Sequence, residues 1–364
     1  MEAVEQLSLH LLDVGKGDAI VIDFPDGSFG LVDTGPSSRG EGVTEWLDQR
    51  AQRGKFRFAA ITHWDTDHAA GMPGILRRYK PIRFYHPADE LPLLEKLASS
   101  GDSTNPAALA EEIRRARDKD TIEACLFARD RLDTPEGVDL IALSPDSHVK
   151  DELYEAIRCG ASWHQVRKLR NRLSVALWLR FAGVKLLLTG EVEAIQYKRM
   201  SDLFRAKNEP LHERYGSPQA SWIKLSHHGA EGNNPPSLFQ YFATQNVIAS
   251  ASAGGANGHP HPVVLHLVAS RGGQAMCTRL GQGCGHIQRH QLDPNPMSWI
   301  ANVSLKQLPN PQQRCYGDVS VKIVRDAAGS TTCQVRGSRT QANCPYGGPS
   351  DGEAKLIVTL RPRP

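Results

Sequence analysis

The stretch "AAITHWDTDHAAGMPGIL", residues 59–76, sets two histidines and two aspartates within six positions, from His63 to His68. The apolar run "FRFAAIT" leads into it, and a Gly-punctuated helical pattern follows. A chain leaving a strand can curl so that the side chains of His63, Asp65, Asp67 and His68 converge on one point. Imidazole nitrogens and carboxylate oxygens are the donors that suit hard or borderline divalent ions. A solvated turn rich in Asp and His is the plainer alternative. These groups abut a buried strand, however, where unpaired charge is costly, and the cluster is read as a metal site.

A hexapeptide cannot close such a site alone, and three other strand ends offer partners. "VKLLLTGE" brings Glu191 out of an apolar strand just after Gly190. "WIKLSHHG" delivers His227 and His228 before Gly229, and "NGHPHP" offers Asn257, His259 and His261 beyond a further strand. Each is weak by itself, since a Thr-Gly-Glu turn is usually only a turn. Placed together at strand ends they describe one constellation.

Outward from these motifs the chain alternates. "LSLHLLDV" (7–14), "AIVIDF" (19–24) and "FGLVDT" (29–34) are short apolar runs separated by "GKGD" and "PDGS" turn chemistry. "GVTEWLDQRAQRG" has helical spacing and a Gly stop. Strands alternating with helices favour an α/β layered fold. Residues 88–136 are charged and helical in pattern, which predicts a helical insertion that flanks the site without supplying ligands. "VDLIALSP" (138–145) resumes the sheet, and "NRLSVALWLRFAGVKLLLTGE" (171–191) reads as a strand pair turning at Ala182-Gly183. "PVVLHLVAS" (262–270) reads as a helix with Pro262 in its first turn. From about residue 271 the chain is rich in Gly, Pro and Gln and holds five of the seven cysteines. With "DVSVKIV" (318–324) and "AKLIVTL" (354–360), this part is expected to be a β-rich C-terminal extension to a domain spanning residues 1–270.

Of the 364 residues, 40% are hydrophobic and 23% charged, the balance of a soluble globular protein. A formal charge of +3 does not by itself imply a polyanionic partner, and basic runs such as "RRYK" and "RKLRNR" are ordinarily solvated helix faces. The opening "MEAVEQLSLHLLDV" lacks a cleavable apolar core, and no apolar run reaches the roughly 18–20 residues that span a bilayer. An odd number of scattered cysteines does not suggest a disulfide framework. The expectation is a cytoplasmic chain with no membrane association. "CTRLGQGCGHIQRH" gathers Cys277, Cys284, His286 and His290 without a zinc-finger spacing, and is read as ordinary thiols. Gly15-Lys16-Gly17-Asp18 lacks phosphate-loop spacing and reads as a tight strand connection, from which Lys16 could still approach the site.

The order "LDVGKGDAIVI…LVDTG…THWDTDHAAGM…NRLSVAL…LLLTGE…IKLSHHGA…NGHPHP" resembles the metallo-β-lactamase superfamily. Within it, the chain is similar to the hydrolase domain of ComEC-type DNA-uptake proteins and their stand-alone relatives. The resemblance covers roughly residues 6–270, apart from the helical insertion. It implies an αββα sandwich with a one- or two-metal site at its edge. It also implies Asp33 as a supporting carboxylate, His63 and Asp65 on one metal, and Asp67 and His68 on the other. Glu191 stands where the family usually has a bridging Asp, one of His227 and His228 would complete the second site, and His259 would lie near the substrate. Three departures stand out. Asp65 occupies a position that is His in the broad superfamily, as it does in the ComEC-like branch. Glu191 adds a methylene. The superfamily's mid-chain histidine has no clear counterpart, His148 being a candidate that sits at a helix start.

At such a site a metal-activated water attacks phosphorus or a carbonyl. Asp67 would orient that water, and His259 or Lys224 would assist the leaving group. The resulting expectation is a phosphodiesterase or nuclease acting on DNA or RNA with one or two divalent ions, Mn²⁺ or Zn²⁺. The carboxylate-rich donor set leans toward Mn²⁺. The same site would also suit a small ester, lactone or thioester. The Glu191 departure and the missing histidine leave room for an inactive interaction module.

Overall fold

A period of two decides which way each strand faces. Along β1 (Glu5–Leu11), Leu7, Leu9 and Leu11 enter one core. Along β2 (Ile20–Asp23), Ile20 and Ile22 join them while Val21 enters another. Burying one such side chain contributes roughly 1.5–3 kcal/mol. That exceeds the full range of strand propensities, so the alternation rather than residue preference orients these short strands.

The computed structural model describes residues 4–38, 40, 42–51, 54–87, 106–162, 165, 171–205, 210–244, 246–251, 259–279 and 317–338. Strands are numbered along the chain. The first sheet holds β1, β2, β3 (Phe29–Val32), β4 (Phe56–Ala60), β5 (Arg83–Pro87), β6 (Ile122–Leu126), β13 (Val319–Arg325) and β14 (Thr331–Gly337), in the order β14-β13-β1-β2-β3-β4-β5-β6. The second holds β7 (Val138–Ser144), β8 (Ala176–Phe181), β9 (Val184–Leu188), β10 (Trp222–Lys224), β11 (Val247–Ala249) and β12 (Ala275–Cys277), in the order β12-β11-β10-β9-β8-β7.

The sheets share one core, in which Leu9, Ile22 and Val321 meet Leu179, Leu186 and Trp222. Helices Thr44–Ala51, Met72–Tyr79 and Pro106–Ala116 cover the outer face of the first sheet through Leu47, Ile75 and Ile113. Helices Ala194–Asp202, Pro236–Tyr241 and Pro262–Ser270 cover the second through Tyr197, Phe239 and Leu265. The result is the expected α/β sandwich in αββα order. β8 and β9 turn at Ala182-Gly183, both at positive φ, and Pro262 opens its helix as predicted.

Two expectations are corrected. Residues 88–136 are not wholly helical, because Ile122–Leu126 pairs with β5 and closes the first sheet. β6 is an edge strand with Ile122 half exposed, so it lacks the apolar signature of an interior strand. The break at residue 270 is not a domain seam either. β12 extends the second sheet and the β13–β14 hairpin extends the first, so the C-terminal part is β-rich but built into the sandwich. The run "AKLIVTL", Asn257, Cys284, His286 and His290 lie outside the described residues. Among the described residues no helix is long and apolar enough to cross a membrane.

Candidate metal centre

β3 and β4 run parallel, as do β9 and β10, and the chain leaves the carboxyl end of each at one rim of the sandwich. The residues that follow these ends converge there. Asp33, just after β3, is fully buried at φ +60°. Its carboxylate accepts from the Thr62 backbone N–H and the Thr62 hydroxyl, each at 2.7 Å, and from His68 Nδ1 at 2.7 Å. With its hydroxyl hydrogen committed to Asp33, Thr62 Oγ1 accepts from His63 Nδ1 at 3.0 Å. His228 Nδ1 donates to Ser250 Oγ at 2.8 Å, and Ser250 donates onward to Asp18. Each of the three rings therefore carries its hydrogen on Nδ1 and presents a bare Nε2 lone pair, the tautomer that binds a metal.

Those three Nε2 atoms are buried and have no hydrogen-bond partner among the described residues. What they face is Glu191. Its Oε1 lies 3.3 Å from His68 Nε2 and 3.3 Å from His228 Nε2, and its Oε2 lies 3.5 Å from His63 Nε2. Lone pairs facing a carboxylate oxygen repel unless positive charge sits between them. Bonds of roughly 2.0–2.1 Å to one tetrahedral ion place neighbouring donors roughly 3.3 Å apart, so the spacing fits a metal centre. The electrostatics show the same demand for positive charge. Burial works against a charge on His228, but the carboxylates of Asp18, Asp67 and Glu191 outweigh it and raise the ring to about 9, so without an ion a proton takes the place on Nε2 that a metal would fill. Burial, with His68 close by, pushes His63 down to about 3. Burial likewise opposes ionisation of Glu191, and the surrounding imidazoles reverse that and hold it well below the usual carboxylate range.

Among the described residues three sets of donors lie close enough to hold an ion; Asp18, Asp33 and His68 are one, and the other two share Asp67. Of these two, one is Asp67, His68, Glu191 and His228; the other is His63, Asp65 and Asp67. Glu191 spans both through its two oxygens. It is held by a backbone that only glycine can supply, since Gly190 lies at φ +52° and a Cβ there would come within 2.6 Å of Ser174 Oγ. That same hydroxyl accepts the Glu191 N–H at 2.9 Å.

The structure distinguishes the paired histidines. His228 is buried in the four-donor group. His227 is one-third exposed, its Nδ1 3.3 Å from Glu191 Oε2, and its ring lies edge-on to His259 at 5.9 Å. His259 is pushed down to about 4, by burial and then by His227. His261 caps its own helix by accepting from the Val263 N–H, and His148 sits exposed beside Glu152, so neither reaches the cluster. Lys224 requires a correction: it is 1% exposed, ion-paired with Asp18 and bonded to the Gly190 carbonyl at 3.2 Å. An ammonium sealed behind the ligands neutralises Asp18 and cannot meet a leaving group. The lysine at the surface of the cluster is Lys16, 64% exposed and 3.4 Å from Asp67 Oδ2.

Reasoning from sequence passed over Asp18, Thr62, Asn171, Ser174 and Ser250. For Asn171 and Ser174 a signal existed, because "NRLS" stood inside the motif order; for Ser250 there was none.

Residues 12–139 match the model of the metallo-beta-lactamase superfamily. The chain is 22% identical over 279 residues to ComE operon protein 3 of Bacillus subtilis (strain 168), covering 71% of this chain and 30% of that protein. It therefore spans less than a third of the length of that relative. Among solved structures it is similar to YhfI, a metallo-beta-lactamase fold protein from Bacillus subtilis, at 11% identity and a TM-score of 0.37, over 67% of this chain and 85% of that one. CmlA, a diiron β-hydroxylase from Streptomyces venezuelae, is 13% identical with a TM-score of 0.43, over 75% of this chain and 53% of that one. The segment that matches the metallo-β-lactamase superfamily carries His63, Asp65, Asp67 and His68, and the sandwich brings Glu191 and His228 to them from outside it.

Proposed function

We propose that this protein is a metal-dependent phosphodiesterase, acting on DNA or RNA. The observation that supports it most is the pair of donor groups joined by Asp67 and Glu191, because two adjacent ions suit in-line displacement at phosphorus. Ions held there would activate water for attack near neutral pH and take up charge on the phosphoryl oxygens. The remaining work falls to the chain. Burial opposes ionisation of Asp67, but His228 and His68 outweigh it and keep the carboxylate ionised, available to orient the attacking water. Lys16 stands at the exposed side of Asp67, placed to meet a non-bridging phosphate oxygen. His227 and His259 form a rim of imidazoles held neutral by burial, a wall that can hydrogen-bond the leaving oxygen without adding charge. The motif order shared with ComEC-type domains supports nucleic acid as substrate, and the oxygen-rich shell supports Mn²⁺ over Zn²⁺.

The test is a panel of single- and double-stranded DNA, RNA, a small phosphodiester and a carboxyl ester, run with Mn²⁺ and with Zn²⁺. Hydrolysis of nucleic acid is expected to weaken steeply as salt rises and to vanish in Asp67→Ala with the fold retained. Lys16→Gln is expected to weaken binding of phosphodiesters roughly tenfold and to leave the neutral ester unaffected. Turnover of the carboxyl ester alone would identify a small-ester hydrolase, and absence of stoichiometric metal would identify an inactive module.

A further inference from the structure

We infer that Asn171 supplies an amide oxygen to the outer donor group, taking the place of an imidazole and making that position harder than the inner one. The inference rests on the reading of the cluster as a metal centre. The inner group has four donors, whereas His63, Asp65 and Asp67 are three. Asn171 opens the short turn Asn171–Leu173 that precedes β8. Its Nδ2 lies 3.2 Å from Glu191 Oε2, the oxygen that also faces His63, and 3.4 Å from His227 Nδ1. A carboxylate can only accept, so the end of the amide beside it must be the nitrogen. Both amide hydrogens then have acceptors, Glu191 and His227.

The other end of the amide is unaccounted for. Asn171 Oδ1 is buried and has no hydrogen-bond partner among the described residues. A buried carbonyl oxygen without a donor is costly, and beside a cluster of bare imidazole lone pairs the natural complement is a cation. The turn is also fixed to the cluster on two sides. The Val175 N–H donates to the Thr62 carbonyl at 2.8 Å, next to His63, and Ser174 Oγ accepts the Glu191 N–H. An oxygen on such a support is placed before any ion arrives. With it the outer position has one nitrogen (His63) and oxygens from Asp65, Asp67, Glu191 and Asn171. The inner one has two imidazoles, His68 and His228. Oxygen-rich sets favour Mn²⁺ and Mg²⁺, and imidazole shifts the balance toward Zn²⁺.

The experiment is a metal titration of chelated full-length protein, followed by calorimetry and by the spin resonance of Mn²⁺, with no substrate present. Wild type is expected to take two Mn²⁺ ions with unequal affinity. Asn171→Ala is expected to lose roughly tenfold or more at the weaker position and nothing at the tighter one. Asn171→His is expected to retain the weaker position while raising its zinc-to-manganese affinity ratio roughly tenfold or more. Wild-type titration curves in Asn171→Ala, or equal loss at both positions, would overturn the inference; the second result would make the residue a prop for Glu191. A zinc-to-manganese ratio unchanged in Asn171→His would overturn it too, and covers the case in which the alanine variant does not fold. One ion in wild type removes the inference and leaves the hydrolase reading standing, whereas no ion at all removes that reading itself.

Discussion

Asp33 belongs to neither of the two donor groups that share Asp67, and yet it sets their geometry through its bond to His68. Three donors converge on its carboxylate, two from Thr62 and one from His68. Asp33→Asn would replace one accepting oxygen with an NH₂ group that faces a donor. The expected loss is about 2–3 kcal/mol of stability in urea melts of the chelated protein, the scale of buried hydrogen bonds to a charged group. Metal affinity should fall roughly 10- to 100-fold as His68 loses its orientation. Unchanged affinity in a folded variant would show that Asp33 is not what aims the ring. The contrast with His63–His68 explains what could be read from sequence at this scale. Donors that serve through spacing along the chain announce themselves in a hexapeptide. Asp18 and Ser250 serve through a contact spanning 232 residues, and no local pattern marks an aspartate or a serine for such a partner.

At the scale of elements, one polar staple ties a helix to the first sheet away from the cluster. Arg50, in the helix Thr44–Ala51, grips both oxygens of Asp23 at the end of β2, and His10 of β1 reaches the same carboxylate at 3.1 Å while packing on Trp46. Burial alone would raise the pKa of Asp23, but His10 and Arg50 overcome that and lower it. A depressed folded-state pKa means stabilisation that is complete above the ordinary value, roughly 4, and lost as pH falls below it. Asp23→Asn is therefore expected to lower stability at pH 6–7 and to flatten its decline below about pH 4, measured by thermal melts from neutral into acid pH. An acid limb as steep as that of wild type would assign the decline to other carboxylates. Elements were legible where their faces are strongly apolar, as in "VKLLL" and "PVVLHLVAS". β6 was not, because an edge strand buries little and its flanking charges imitate a helix surface.

For the whole molecule, the alternation of strand and helix fixed the class of fold, while the role of the C-terminal part stayed hidden. Whether a late hairpin joins an early sheet depends on which edge is free, and sequence patterns do not reveal edges. The structure shows β1 paired on one side with β2 and on the other with β13. A chain cut after residue 270 would leave β1 as a bare edge and uncover the inter-sheet core around Leu7 and Leu9, an arrangement prone to edge-to-edge association. Such a truncation is expected to be recovered as aggregates and the full chain as a discrete species, with size-exclusion chromatography separating the two. A soluble monomer of the truncated chain would show that the hairpin is dispensable.

That pairing also has a consequence in time. His10 and Ser320, joined at 2.7 Å across β1 and β13, are separated by 310 residues, so β1 waits for a strand made long after it. At about 5–20 residues per second, the interval on a ribosome is roughly 15–60 seconds. Throughout it the apolar side of β1 has no neighbour at that edge. Nascent chains halted before residue 319 should therefore be cleaved readily by protease within β1 and bind hold-type chaperones. Chains halted far enough past residue 337 for the hairpin to clear the exit tunnel should resist cleavage. A circular permutant that joins the hairpin ahead of β1 should shorten this exposed period, and its yield at raised temperature, relative to the natural order, would measure how much the delay costs the cell.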